Sequence, residues 1–153
     1  MSESIVKSSV CPECGAPVPP GASCQANFHE LLALEWKIPG GPGGIAHFFA
    51  VATYGIQHPE SMGYTQETVD KLRGAVRDVL DGRASIAEIR KRMRVYSGSA
   101  GRVTRRGGEA APLRVVTKWP TVVTNIVAGG VERYRERVEA WARATVDTLD
   151  AGK

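Results

Sequence analysis

Two cysteines separated by two residues, Cys11-Pro-Glu-Cys14, with Gly15 directly after them, carry the strongest chemical signal in this sequence. Thiolates at that spacing can grip one zinc ion at about 2.3 Å each, and the glycine lets the backbone fold back so that its amides reach the sulfurs. A Cys-x-x-Cys pair can instead form a thioredoxin-like redox site, which needs its first cysteine at a helix N-terminus. Here the pair is followed by Gly-Ala-Pro-Val-Pro-Pro, which cannot start a helix, so the metal reading is favoured. Cys24 lies further on in a Gly-Ala-Ser turn with no apolar neighbours before it and is the natural third ligand.

A fourth ligand must come from His29, His47 or His58. His29 falls within a predicted helix. His47 and His58 are eleven residues apart, about 16 Å along one continuous helix, so they cannot share an ion. If a glycine-rich loop makes the first two helices antiparallel neighbours, Cys24 meets His58, and His47 meets Glu35 and Trp36. The expectation is therefore a zinc knuckle of Cys11, Cys14, Cys24 and His58, with His47 as the alternative fourth ligand.

That arrangement leaves a second group. Glu35, His47 and Tyr54 could converge on a pocket between the first two helices, with Gln57 also turned inward. A histidine beside a carboxylate is a usable general base, and a tyrosine hydroxyl can orient or donate a proton. Hydrogen-bonded core residues would give the same pattern, so a small enzyme acting on a small molecule and a non-enzymatic zinc-stabilised binding or accessory module both remain open.

Charge bears on the second of these. The chain carries a net +4, yet between Arg83 and Lys118 ten basic residues face only Glu88 and Glu109. Such a block can attract an anionic partner, with Arg102, Arg105 and Arg106 as candidate anion-binding residues, or can be a solvated helix face and a loop. Apart from Tyr96 it lacks interleaved aromatics, and no nucleic-acid-binding motif is present, which argues against nucleic acid.

The elements that must position these residues are helical. At 153 residues, with a mean hydropathy of −0.19, the chain has the size and composition of one domain that buries a core without disulfides. No run approaches the roughly 18 apolar residues of a membrane span, and the N-terminus lacks the apolar stretch of a signal peptide. A cytoplasmic protein with unpaired thiols is expected.

Residues 1–9 read as a flexible tail, and 10–150 as a single domain interrupted by a mobile basic loop over 97–112. Periodicity predicts a bundle of about five helices with an N-terminal zinc-binding loop. The first helix runs over Asn27–Lys37, capped by Asn27 with Glu30, and carries Phe28, Leu31, Leu32 and Glu35 on one face. The second, Ile45–Gln57, is apolar nearly all round and ends at His58-Pro59. Thr65 caps a third that closes at Gly82; Ser85 and Glu88 box the fourth, with Ile86, Ile89 and Met93 inward. Leu113–Thr117 suits a short extended piece. Val131–Leu149 forms the last helix, with Val131, Tyr134, Val138, Trp141, Thr145 and Leu149 on one stripe.

These residues together resemble a bacterial domain family of unknown function. Its pattern is Cys-Pro-x-Cys-Gly, a later cysteine, Phe-x-Glu-Leu-Leu-Ala-x-Glu, a histidine and Tyr-x-x-Gln-His-Pro. Here those are Cys11 to Gly15, Cys24, Phe28 with Glu30 to Ala33 and Glu35, His47, and Tyr54 with Gln57 to Pro59. Val123-Thr124 and Ala140 to Ala142 match its C-terminal part. The resemblance implies that Cys11, Cys14, Cys24, His47 and His58 are the positions that matter, and it demotes His29. Relatives tend to carry polar residues two to five positions after the first of those histidines, where this chain has Phe49, Ala50 and Ala52. If those polar groups serve a reaction, this member has lost or changed it.

Overall fold

A computed structural model describes residues 9–97, 113, 116 and 118–152. The fold is mainly α, as expected, and its first feature is a small antiparallel hairpin. Strands β1 (Ser9–Val10) and β2 (Pro17–Val18) pair Ser9 with Val18 and Val10 with Pro17, bracketing the first two cysteines. Among the described residues seven helices follow: α1 Cys24–Leu34, α2 Ile45–Gln57, α3 Pro59–Met62, α4 Gln66–Leu80, α5 Ile86–Ser97, α6 Val123–Val127 and α7 Tyr134–Ala151.

Helix α2 is central because it has no polar face to offer water. Phe49, Ala50, Ala52 and every residue from Thr53 to Gln57 are buried. It packs against α7 and α4, α4 packs against α7, and α1 lies on α6. Trp141, Val138 and Val146 of α7 are fully buried at the centre. Each such large apolar side chain contributes roughly 1.5–3 kcal/mol by leaving water. Gly55 permits one close approach: a Cβ there would lie 2.9 Å from the Tyr64 ring.

Several boundaries follow the expected chemistry. Helix α2 spans the predicted residues. Thr65 caps α4, accepting from Thr68 N at 3.1 Å. Ser85 and Glu88 bond reciprocally, 3.1 and 2.9 Å, at the head of α5. Ile89 is buried there and Ile86 is half-buried, whereas the Met93 side chain lies outside the described residues.

Two boundaries differ. Helix α1 starts at Cys24, three residues before Asn27, because Ser23 is its cap and accepts from Ala26 N at 3.0 Å. It closes at Leu34, and Glu35–Lys37 tightens into a 3-10 turn. Helix α7 starts at Tyr134 instead of Val131, since Arg133 adopts a left-handed backbone (φ 51°) that no helix can include. Val131 is accordingly exposed, while Tyr134, Val138, Trp141 and Thr145 of its predicted stripe are buried.

Helices α3 and α6, one turn or little more each, had no periodicity long enough to announce them. The predicted tail (residues 1–8 of it), most of the 97–112 loop and most of Leu113–Thr117 lie outside the described residues. No helix among the described residues is long and apolar enough to cross a membrane.

Candidate functional site

The hairpin makes the first half of the site. Gly15 N–H donates to the Cys11 carbonyl at 2.9 Å, and Cys11 N–H donates to the Ala16 carbonyl at 2.8 Å. That tight return needs Gly15 at φ 80°, a conformation a side chain at this position would oppose. Cys24 arrives as the first residue of α1, and His58 as the residue that ends α2 before Pro59. Cys11, Cys14, Cys24 and His58 each offer a ligand atom, and these atoms lie within 4.8 Å of one another. Such a cluster could hold a metal ion.

The Cys14 and Cys24 sulfurs are 3.6 Å apart. A tetrahedron with Zn–S bonds of about 2.3 Å has edges of about 3.8 Å, so this pair needs almost no adjustment. Cys14, Cys24 and His58 are buried and Cys11 is half-buried. Burial pushes the Cys14 thiol up to about 11 and that of Cys24 further, so without a cation both sulfurs are neutral. A dication among them reverses that balance and holds them as thiolates.

His58 is prepared for the role of ligand. Its Nδ1 lies 2.9 Å from the Tyr54 carbonyl, which can only accept, so the ring donates from Nδ1 and keeps a lone pair on Nε2. That Nε2 is buried with no hydrogen-bond partner. Desolvation lowers the pKa of the ring and favours the neutral imidazole, the form that binds metals. The ring stacks on Tyr54 (centroids 4.1 Å apart, 18° between planes), and Tyr54 stacks on Phe28 (4.0 Å, 6°). Beside the cluster lies a cavity of about 580 Å³ whose lining includes Cys11, Phe28, Tyr54 and Met62.

At the opposite end of α1 and α2 stands a second polar group. Glu35 is fully buried. Its Oε1 accepts from His47 Nδ1 at 2.7 Å, and its Oε2 accepts from the Tyr134 hydroxyl, also at 2.7 Å. The His47 side chain is 37% exposed. The two ends verify the antiparallel pairing expected from the sequence: Cys24 beside His58, Glu35 beside His47.

The residues expected to converge on one pocket are distributed over three places. Tyr54 is not with Glu35 and His47; it lies at the cysteine end, seven residues along α2, sandwiched between Phe28 and His58. Gln57 ties α2 to its neighbours, donating from Nε2 to the Thr121 carbonyl and to Thr145 Oγ1, each at 2.9 Å. His47, weighed as a fourth ligand, is not in the cysteine cluster; it is engaged by Glu35. His29 is exposed on α1 at the rim of the cavity.

The tyrosine that does meet Glu35, Tyr134, was placed by the sequence only on a core stripe. Its signal was available: a buried tyrosine must find an acceptor for its hydroxyl, and a buried glutamate must find donors.

Among the basic residues, Arg83 pairs with Asp78 and Asp81 at 3.2 and 3.3 Å, Arg92 pairs with Asp78 at 3.0 Å, and Arg90 donates to the Gly43 carbonyl at 2.8 Å. Part of the expected positive surface is thus engaged within the fold. Arg102, Arg105 and Arg106 lie outside the described residues.

Fold and site together define a mainly helical protein with a Cys₃His cluster on an N-terminal knuckle. The chain belongs to the family of unknown function DUF5946, whose profile matches residues 9–150. No curated protein and no solved structure matches it.

Proposed function

We propose that the protein binds one zinc ion through Cys11, Cys14, Cys24 and His58, and that the ion is a structural staple pinning the N-terminal knuckle to the junction of α2 and α3. The observation that carries this reading is the buried, unpartnered Nε2 of His58 beside three thiols. An orphaned ring nitrogen inside a protein costs free energy unless something fills its lone pair, and a metal ion does so. Three thiolates and an imidazole suit zinc, and a closed four-ligand set leaves no position for substrate. Three cysteines are too few for an all-thiolate iron–sulfur cluster. The same reading places the protein in a reducing compartment such as the cytosol, where three thiols stay unpaired. Elemental analysis of the purified chain tests it: one equivalent of zinc supports the reading, whereas iron or no metal refutes it.

A second reading concerns the other end of the same helices, and the Glu35–His47 bond of 2.7 Å favours it. A buried carboxylate that accepts from Nδ1 fixes the imidazole as the tautomer with a basic Nε2, the arrangement used by orienting carboxylates in general-base catalysis. In this proposal His47 is the general base of a small enzyme, Glu35 orients it, and Tyr134 takes the place that the sequence gave to Tyr54. The zinc would then be remote from the reaction. Loss of turnover of an activated-ester probe in His47→Ala, with zinc retained, supports this role; unchanged turnover removes it.

A further inference from the structure

Helix α3 is four residues long, and the residue at its N-cap, His58, makes no capping hydrogen bond with its side chain. Its ring cannot, because Nδ1 is committed to Tyr54 and Nε2 belongs to the cysteine cluster. The first turn of a helix still presents N–H groups that need acceptors. They are met from 47 and 48 residues away. Glu13 Oε1 accepts from Glu60 N–H at 2.7 Å, and the Ser61 N–H is shared between the two carboxylate oxygens at 3.3 and 3.2 Å. The Ser61 hydroxyl also donates to Glu13 Oε2.

Glu13 lies between Cys11 and Cys14 in the knuckle, and Glu60 lies two residues after His58. One carboxylate therefore clasps the segment that carries two of the thiols to the segment that carries the imidazole. Ser61 and Met62, which follow, form one wall of the cavity beside the cluster. A carboxylate is otherwise a poor neighbour for thiolates. Here its oxygens are occupied by two backbone N–H groups and a hydroxyl.

We propose that Glu13 is a positioning residue for the metal site: by capping α3 in place of His58 it sets the knuckle and the imidazole at bonding distance, so that metal affinity depends on it. The proposal rests on the Cys₃His reading above. Glu13 contributes no ligand atom; its effect comes from holding together and aligned two segments that the metal must bridge, as outer-shell partners do.

The test is a zinc titration against a chromophoric chelator with the full chain, Glu13→Ala, Glu13→Gln and, as control, Ser85→Ala, which removes the cap of the remote helix α5. The expected result is a loss of zinc affinity of about tenfold or more in Glu13→Ala, an intermediate loss in Glu13→Gln, whose carbonyl can still accept, and no change in Ser85→Ala. Amide exchange at Glu60 and Ser61 should be faster in zinc-loaded Glu13→Ala than in the zinc-loaded wild type. Zinc affinity in Glu13→Ala within twofold of the wild type overturns the clasp and leaves the metal reading intact. Equal losses in Glu13→Ala and Glu13→Gln overturn it as well, because charge alone would then account for the effect. A wild type that binds no zinc removes both readings.

Discussion

The Tyr134 hydroxyl donates to Glu35 Oε2 at 2.7 Å, joining the first residue of α7 to the turn that follows α1 across ninety-nine positions of sequence. Glu35 has no contact with solvent, so this bond and the one from His47 are what keep a carboxylate tolerable in the core. Tyr134→Phe deletes one of the two donors to Glu35, along with the longer 3.4 Å contact of the same hydroxyl to the Leu31 carbonyl. A destabilisation of about 1.5–3 kcal/mol is expected from a lost hydrogen bond to a charged group. Urea denaturation of the zinc-loaded protein measures it, and zinc content should be unaffected because the cluster lies at the other end of the helices.

Cys14→Ser and removal of zinc by a chelator should have closely similar effects on melting temperature. Both remove the bridge between the hairpin and α2, and a structural zinc contributes its binding free energy to folding. Ser23→Ala provides the scale. It deletes the cap of α1 one residue from Cys24 and should cost about 1 kcal/mol while the ion stays bound. Calorimetry of the three samples checks the order: a Cys14→Ser shift no larger than that of Ser23→Ala would show that no staple is lost.

The two histidines of α2 should separate cleanly. His58→Ala loses a ligand and with it the metal. His47→Ala keeps the metal and leaves Glu35 with Tyr134 as its remaining side-chain donor, at a cost of about 1.5–3 kcal/mol. Nitrogen-15 spectra of the wild type add a second check: both rings should carry a proton on Nδ1, where His58 meets the Tyr54 carbonyl and His47 meets Glu35. A His47 ring with no proton on Nδ1 would contradict the bond to Glu35.

Much of this was legible in the sequence because the signals were local or followed from one geometric constraint. A separation of eleven positions puts His47 and His58 too far apart along one helix for one ion, and antiparallel pairing of α1 and α2 then sends each histidine to a different partner. Thr65, Ser85 and Glu88 announced their helices through side chains that can reach a free N–H. What was not legible depended on contacts between distant segments. Tyr54 shares a face with His47 by spacing, yet two turns of α2 carry it along the antiparallel α1 from Glu35 to Phe28, on which it stacks. Tyr134 reaches Glu35 only because α7 packs on α2. Glu13 caps a helix too short to show a period. The start of α1 differed for a plainer reason: Ser23 and Asn27 both belong to good capping types, and it is Ser23 that accepts from Ala26 N–H.

The central claim is the coordination of one zinc by three sulfurs and one nitrogen, and X-ray absorption at the zinc edge of the purified protein tests it most directly. The account predicts a first shell of three sulfur scatterers at about 2.3 Å and one nitrogen at about 2.0–2.1 Å, with the bound zinc absent from His58→Ala and the whole shell unchanged in His47→Ala. A shell of nitrogen and oxygen alone, or a nitrogen that disappears in His47→Ala, would contradict it.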